Sequence, residues 1–135
     1  MNLANLFNHP QFLRRVLLVD AVSCAGMGAL LLAAAAPLSG VLGLPVALLQ
    51  GAAAILLPFA AFVAWLARRA AMPRAAVWAV VAINALWVVE SVAVLFVGWT
   101  HPTTLGVAFV LMQAAFVAVL AELEAIGLRR LPVQA

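Results

Sequence analysis

Asp20, Glu90, Glu122 and Glu124 are the four acidic residues of this 135-residue chain, and each falls inside a run of apolar residues. An ionised carboxylate at the centre of a membrane helix costs about 2.5–3.5 kcal/mol on insertion scales, so an acid there is either held by a partner or put to use. The chemistry open to such groups is proton binding, hydrogen bonding or attraction of a cation. Asp20 follows Arg15 by about 8 Å of helix, and Glu122 and Glu124 lie within about two turns of Arg129 and Arg130. In the simplest reading, arginines reaching for the headgroups pair with these three acids. Glu90 lies about 24 Å of helix beyond Arg74, and no Lys or Arg follows it until Arg129. Three readings stay open for it: a protonated side chain in an apolar interior, a carboxylate facing a water-filled crevice, or a group that binds a cationic or hydrogen-bonding ligand.

Other polar residues gather by helical spacing. At 100° per residue, Asn84, Trp87, Glu90 and Ser91 occupy an arc of about 120°, a polar stripe expected to face the bundle interior. Trp87 then stands beside Glu90, either stacking on a substrate or filling volume. Gln50, at similar depth, is an expected hydrogen-bond partner for a neutral Glu90. Gln113 and Glu124 share a face of the last apolar run while Glu122 points nearly opposite, so the two glutamates do not make a close carboxylate pair. Asp20, Ser23, Cys24 and Met27 share a face of the first run. The candidate ligand- or proton-binding set is therefore Glu90, Asn84, Trp87, Gln50, Gln113 and Asp20.

Several chemistries find no residues to carry them. His9 and His101 fall outside the apolar runs on opposite sides, which disfavours a two-histidine haem site, and the sequence offers no Cys/His cluster with metal-ligand spacing. There is no glycine-rich phosphate loop, and lone serines without a matching base do not make a nucleophile. No catalytic residue, metal or cofactor is expected.

The elements that position these residues follow from hydropathy. The chain is 69% apolar and 8% charged, with a mean hydropathy of +1.24, whereas soluble domains carry roughly a quarter charged residues. Four apolar runs are long enough to cross a bilayer, at about 12–36, 44–68, 74–98 and 103–127. They predict an all-α integral membrane four-helix bundle, built as two helical hairpins in a single transmembrane domain over residues 1–135. Pro37 with Ser39 and Gly40 is expected to stop the first helix, Pro45 to open the second, and Pro73 and Pro102 to precede the third and fourth. Pro58 should kink the second helix, because its missing N–H frees a carbonyl. Leu3, Leu6 and Phe7, at helical spacing before Pro10, suggest a short segment lying on the membrane surface. Arg14 and Arg15 ahead of an apolar run imitate a signal peptide, but the run exceeds the roughly 7–15 residues of a signal core and contains Asp20, so it is read as a span.

The seven cationic residues are all arginines: Arg14, Arg15, Arg68, Arg69, Arg74, Arg129 and Arg130. All fall on one side of a four-span topology, which by the positive-inside rule places both termini in the cytoplasm. This bias also argues against a dual-topology dimer. Trp65 and Trp78 mark the cytoplasmic interface and Trp99 the outer one, while Trp87 fits neither. The absence of Lys and the abundance of Ala, Gly, Pro and Arg point to a bacterial inner membrane. The net charge of +3 is dispersed among three membrane-flanking segments, which suits anionic lipid and not nucleic acid. Small residues at four-residue spacing, such as Ala21, Ala25 and Ala29, Ala47 and Gly51, or Ala60 and Ala64, suit close helix packing within the chain, in a homo-oligomer or against a membrane-protein partner. A faint repeat aligns LGLPVALLQGAA at Leu42 with LGVAFVLMQAAF at Leu105, setting Gly43 opposite Gly106, Gln50 opposite Gln113 and, further back, Asp20 opposite Asn84.

The stretches LLPFAAFVAWLA, AAVWAVVAINALWVVESV and TLGVAFVLMQAAFVAVLAELEAIGLRR resemble those of short four-helix bacterial membrane proteins of unassigned function. The resemblance covers about residues 12–130 and implies topology and an inner-membrane location, without carrying functional residues across. Better-known small transporters place a hallmark glutamate in their first helix, where this chain has at most Asp20 at a different depth. The expected function is that of a non-enzymatic accessory or interaction subunit. The alternative is a small proton-coupled transporter or lipophilic-ligand-binding bundle using Glu90.

Overall fold

The computed structural model describes residues 2–9 and 11–130. Among them the chain forms six helices: α1 (Leu3–Phe7), α2 (Phe12–Ala33), α3 (Ala35–Leu42), α4 (Val46–Arg68), α5 (Arg74–Val94) and α6 (Thr104–Arg130). Four of these, α2, α4, α5 and α6, are long and apolar enough to cross a membrane. Leu18, Val22, Ile55, Leu86, Val89, Met112 and Phe116 are among the large apolar side chains left exposed on them, as a lipid-facing surface requires.

Prolines and glycines set the boundaries, not always where the sequence pointed. Pro37 does not stop the first helix. It sits in the first turn of α3, where a missing N–H leaves no bond unmade. The interruption falls three residues earlier at Ala34, with φ −116° and ψ 25°, because Pro37 cannot donate to the carbonyl of Ala33 and its ring crowds that turn. Gly43 closes α3 in the left-handed region at φ 71°, a conformation that glycine adopts without the Cβ penalty. Pro45 precedes α4 as its cap residue, and α4 then runs unbroken through Pro58. The third span is shorter than expected, ending at Val94 instead of near 98, and the Thr100 hydroxyl donates to the Val94 carbonyl at 2.6 Å. The fourth is longer, running three residues past Gly127, which is buried against Phe12 and Leu13 instead of ending the helix. The surface segment forms as α1, capped by the Asn2 side chain; Pro10, its expected end, lies outside the described residues.

The packing is uneven. Helix α2 lies along α4 and α5 lies along α6, while the two pairs meet chiefly through α2 and α6; α4 and α5 scarcely touch. One core layer joins Leu13, Leu17, Val63, Leu66, Val77, Val80 and Leu128, so the ends of α2, α4, α5 and α6 that adjoin the arginines gather at one end of the bundle. At the opposite end the two turns interlock. The Thr103 N–H donates to Leu42 O at 3.0 Å, and the Thr103 hydroxyl to Val41 O at 2.8 Å. A Cβ on Gly106 would overlap the Leu42 carbonyl, so this crossing requires glycine on α6.

The arginines serve helix ends. Arg14 donates to Ala67 O near the end of α4 and Arg74 to Leu128 O in the last turn of α6, at 3.0 Å. These carbonyls have no partner within their own helices. Arg69 lies over Trp65 at 4.8 Å and Arg129 over Trp78 at 5.9 Å. Arg130 donates to Asn8 Oδ1 at 2.8 Å and covers Phe7, which ties α1 to the end of α6.

Candidate functional site

Two connected features emerge, a buried polar cluster and a pair of cavities above it toward the interlocked turns. The cluster joins three helices. Asn84 of α5 donates through Nδ2 to Asp20 Oδ2 of α2 at 2.8 Å and to Glu124 Oε2 of α6 at 3.1 Å. The Cys24 thiol, one turn above Asp20, donates to Asp20 Oδ1 at 3.4 Å. Asp20 and Glu124 are 0% exposed and Asn84 2%, so these bonds are secluded from bulk solvent. Asp20 therefore has a donor on each oxygen. Among the described residues, Glu124 has one on Oε2 and none on Oε1.

This arrangement corrects the expectation that Asp20 pairs with Arg15 and Glu124 with Arg129 or Arg130. Arg14, Arg74 and Arg130 instead donate to Ala67, Leu128 and Asn8, and Arg15 and Arg129 are exposed. An arginine that caps a helix end gains a charge-assisted bond without being drawn into hydrocarbon. Glu122 points away from the cluster and is exposed, as its helical phase requires. A close carboxyl pair does form, but it joins Glu124 to Asp20 across helices, a pairing not anticipated from the sequence.

The first cavity has a volume of about 340 Å³ and opens where α4 and α5 diverge. Glu90 and Ser91 are its polar residues on α5, Trp87 and Gln113 stand together deeper in the wall, and Met27, Leu48, Ile55, Phe109 and Val110 make much of the rest. Trp87 Nε1 donates to Gln113 Oε1 at 2.9 Å, and Gln113 Nε2 in turn donates to Val110 O at 2.9 Å, which fixes the amide and with it the indole. Ser91 donates back to Trp87 O at 2.6 Å. A second cavity, of about 390 Å³, lies on the α2 and α6 side and is lined by Ser23, Cys24, Met112, Phe116 and Val117. Met27, Trp87, Phe109 and Gln113 line both, so the Trp87–Gln113 pair is the partition between them.

The polar stripe on α5 thus divides by depth. Asn84 belongs to the buried cluster, Trp87 and Ser91 are half-buried in the cavity wall, and Glu90 is exposed at the rim. Gln50 is exposed and outside both cavities, and its expected bond to Glu90 does not form. Of the residues aligned by the faint repeat, Asp20 and Asn84 touch, whereas Gln50 and Gln113 occupy different environments. Cys24, read from the sequence as one member of a shared face, is the residue that links cluster and cavity; its one-turn spacing from Asp20 was the available signal. Compared with protein-family models, with curated proteins and with solved structures, the chain matches none.

Proposed function

We propose that this chain is a non-enzymatic four-span membrane bundle that receives a lipophilic molecule sideways from the bilayer, into the cavity between α4 and α5, with a cationic or hydrogen-bond-donating group held at Glu90. The observation that carries this reading is the placement of a single acidic side chain at the rim of a mainly apolar cavity of about 340 Å³. That volume lies within the roughly 300–1,000 Å³ of small-molecule sites, which combine apolar walls with a few placed polar groups. Trp87, locked by Gln113, offers a flat wall to an apolar or cationic group. An occupant bearing a positive charge meets the Glu90 carboxylate and no arginine among the lining residues.

The same reading places α2 with α4 and α5 with α6 as two hairpins across a bacterial inner membrane, with the arginine end cytoplasmic. Its support is the gathering of arginine-bearing helix ends on one side and the positive-inside rule. Lipid is the first partner, and a second copy or another membrane protein has the lipid-facing surfaces available to it.

The test uses tetraphenylphosphonium, a lipophilic cation, with the protein in lipid nanodiscs. In a variant with Trp65, Trp78 and Trp99 replaced by phenylalanine, the probe should quench Trp87 fluorescence saturably, and Glu90→Gln should weaken binding about tenfold, the equivalent of about 1.4 kcal/mol. Quenching that is linear in probe and indifferent to Glu90 would defeat the ligand reading and return the chain to an accessory or interaction subunit.

A further inference from the structure

Asp20 and Glu124 are two fully buried carboxyls on a single amide nitrogen, and among the described residues no arginine donates to either of them. Helix α2 presents Asp20 itself and the Cys24 thiol, and α5 presents Asn84. Helix α6 presents Glu124, and its next charged residue in the C-terminal direction is Arg129. Helix α4 has no titratable residue before Arg68. Among the described residues, Arg14 donates to the Ala67 carbonyl and Arg74 to that of Leu128, the latter one turn beyond Glu124.

Removing an ion from water carries a desolvation penalty, and two like charges sharing a site raise it further. Two carboxylates on one amide are thus strongly disfavoured, and a single bound proton removes most of the difficulty. The hydrogen bonds say where that proton resides. Asp20 accepts from Asn84 on one oxygen and from Cys24 on the other, the pattern that stabilises a carboxylate. Glu124 accepts on Oε2 only, and its buried Oε1 has no donor. An unpartnered buried oxygen is costly as an acceptor, and protonating the carboxyl relieves it.

We propose that Asp20, Asn84 and Glu124 form a proton-binding site that carries one proton on Glu124, with Asp20 as the paired carboxylate, and that exchanges it with the α2–α6 cavity past Cys24. Release transfers the Glu124 proton to water in that cavity and leaves two carboxylates on the Asn84 amide; uptake reverses the step. Because Cys24 both donates to Asp20 and lines the cavity, it stands on the path between them. The site is distinct from Glu90 and does not depend on a ligand being bound there.

The experiment is infrared spectroscopy of the full chain in lipid nanodiscs at neutral pH, in water and after transfer to D2O. The wild type should show a carboxylic acid C=O band that shifts on deuteration, is absent from Glu124→Gln and persists in Asp20→Asn. Cys24→Leu, which fills the path, should slow the deuterium shift relative to Cys24→Ser. Selective carboxyl-13C labelling of glutamate in a Glu90→Gln, Glu122→Gln chain, where Glu124 is the remaining glutamate, reads the same band without any substitution at the site, so misfolding of Glu124→Gln does not remove the test. Absence of a protonated glutamate band in that labelled chain would overturn the proposal. So would a band that belongs to Asp20, or one that disappears when potassium is exchanged for sodium, which would make the pair a cation site. Equal exchange in Cys24→Leu and Cys24→Ser would overturn the path.

Discussion

Replacing Asn84 with leucine keeps the side chain's branching and heavy-atom count and deletes the one nitrogen that holds both carboxyls. Two hydrogen bonds are lost, those of 2.8 Å to Asp20 and 3.1 Å to Glu124. Interhelical hydrogen bonds in membranes are worth about 0.6–2 kcal/mol each, so the pair sums to about 1–4 kcal/mol. The consequences for the two acids differ. Asp20 retains the Cys24 thiol, whereas Glu124 is left, among the described residues, with no donor on either oxygen, so the loss should fall toward the upper part of that range. The assay is reversible unfolding in mixed micelles, with Asn84→Leu measured alone and in an Asp20→Asn, Glu124→Gln background. Because the three residues form one network, the effects should not add, with a coupling energy of at least about 0.5 kcal/mol. A loss of less than about 0.5 kcal/mol for the single variant, which is the range of an ordinary surface substitution, would refute the view that this amide clasps three helices. Strict additivity with the double variant would refute it as well.

Gly106→Ala should destabilise the turn end by about 1–3 kcal/mol, the range for forcing volume into a packed contact, because the new methyl would overlap the Leu42 carbonyl; an unchanged melting temperature in detergent would show that the crossing is loose. Trp87→Phe removes the indole N–H that Gln113 accepts and should cost about 1 kcal/mol of stability. Its second readout is amide hydrogen exchange, which should rise around Gln113 and stay level near Asp20. Arg14→Gln withdraws a charged donor from the Ala67 carbonyl; in this half-buried position a loss of about 1 kcal/mol is expected, with faster exchange confined to the last turn of α4. Wholesale loss of folding in Arg14→Gln would mean that the side chain does more than cap that helix.

The spans were legible because hydropathy and proline placement act locally. Arginine placement identified one end of the bundle for the same reason. Boundaries moved where a tertiary contact intervened. Gly127 resembled a helix terminus until Phe12 and Leu13 were seen to press against it, and Pro37 shifted the interruption to Ala34 through a carbonyl four residues back. The cluster was harder to read. Rotation and register between α2, α5 and α6 decide whether Asp20 meets Arg15 or Asn84, and the spacing along any one helix does not contain that information. Helical phase did put Glu122 and Glu124 on opposite sides, and the repeat set Asp20 opposite Asn84, the two residues that touch. Glu90 drew attention because no arginine lay near it in sequence. In the fold it is exposed, as is Glu122, while Asp20 and Glu124, each with an arginine close by in sequence, are wholly buried.

The divergence of α4 and α5 has a consequence for how any occupant is counted. On the function proposed above, a cavity between two membrane-spanning helices would be filled from the hydrocarbon phase, so the relevant concentration would be moles of solute per mole of lipid. A compound that partitions into the bilayer would reach the mouth already concentrated, at a free energy of about 1.4 kcal/mol for every tenfold of enrichment. A weak cavity would then suffice for full occupancy, and the apparent midpoint would move in proportion to the lipid added, while the mole fraction at half-saturation stayed constant.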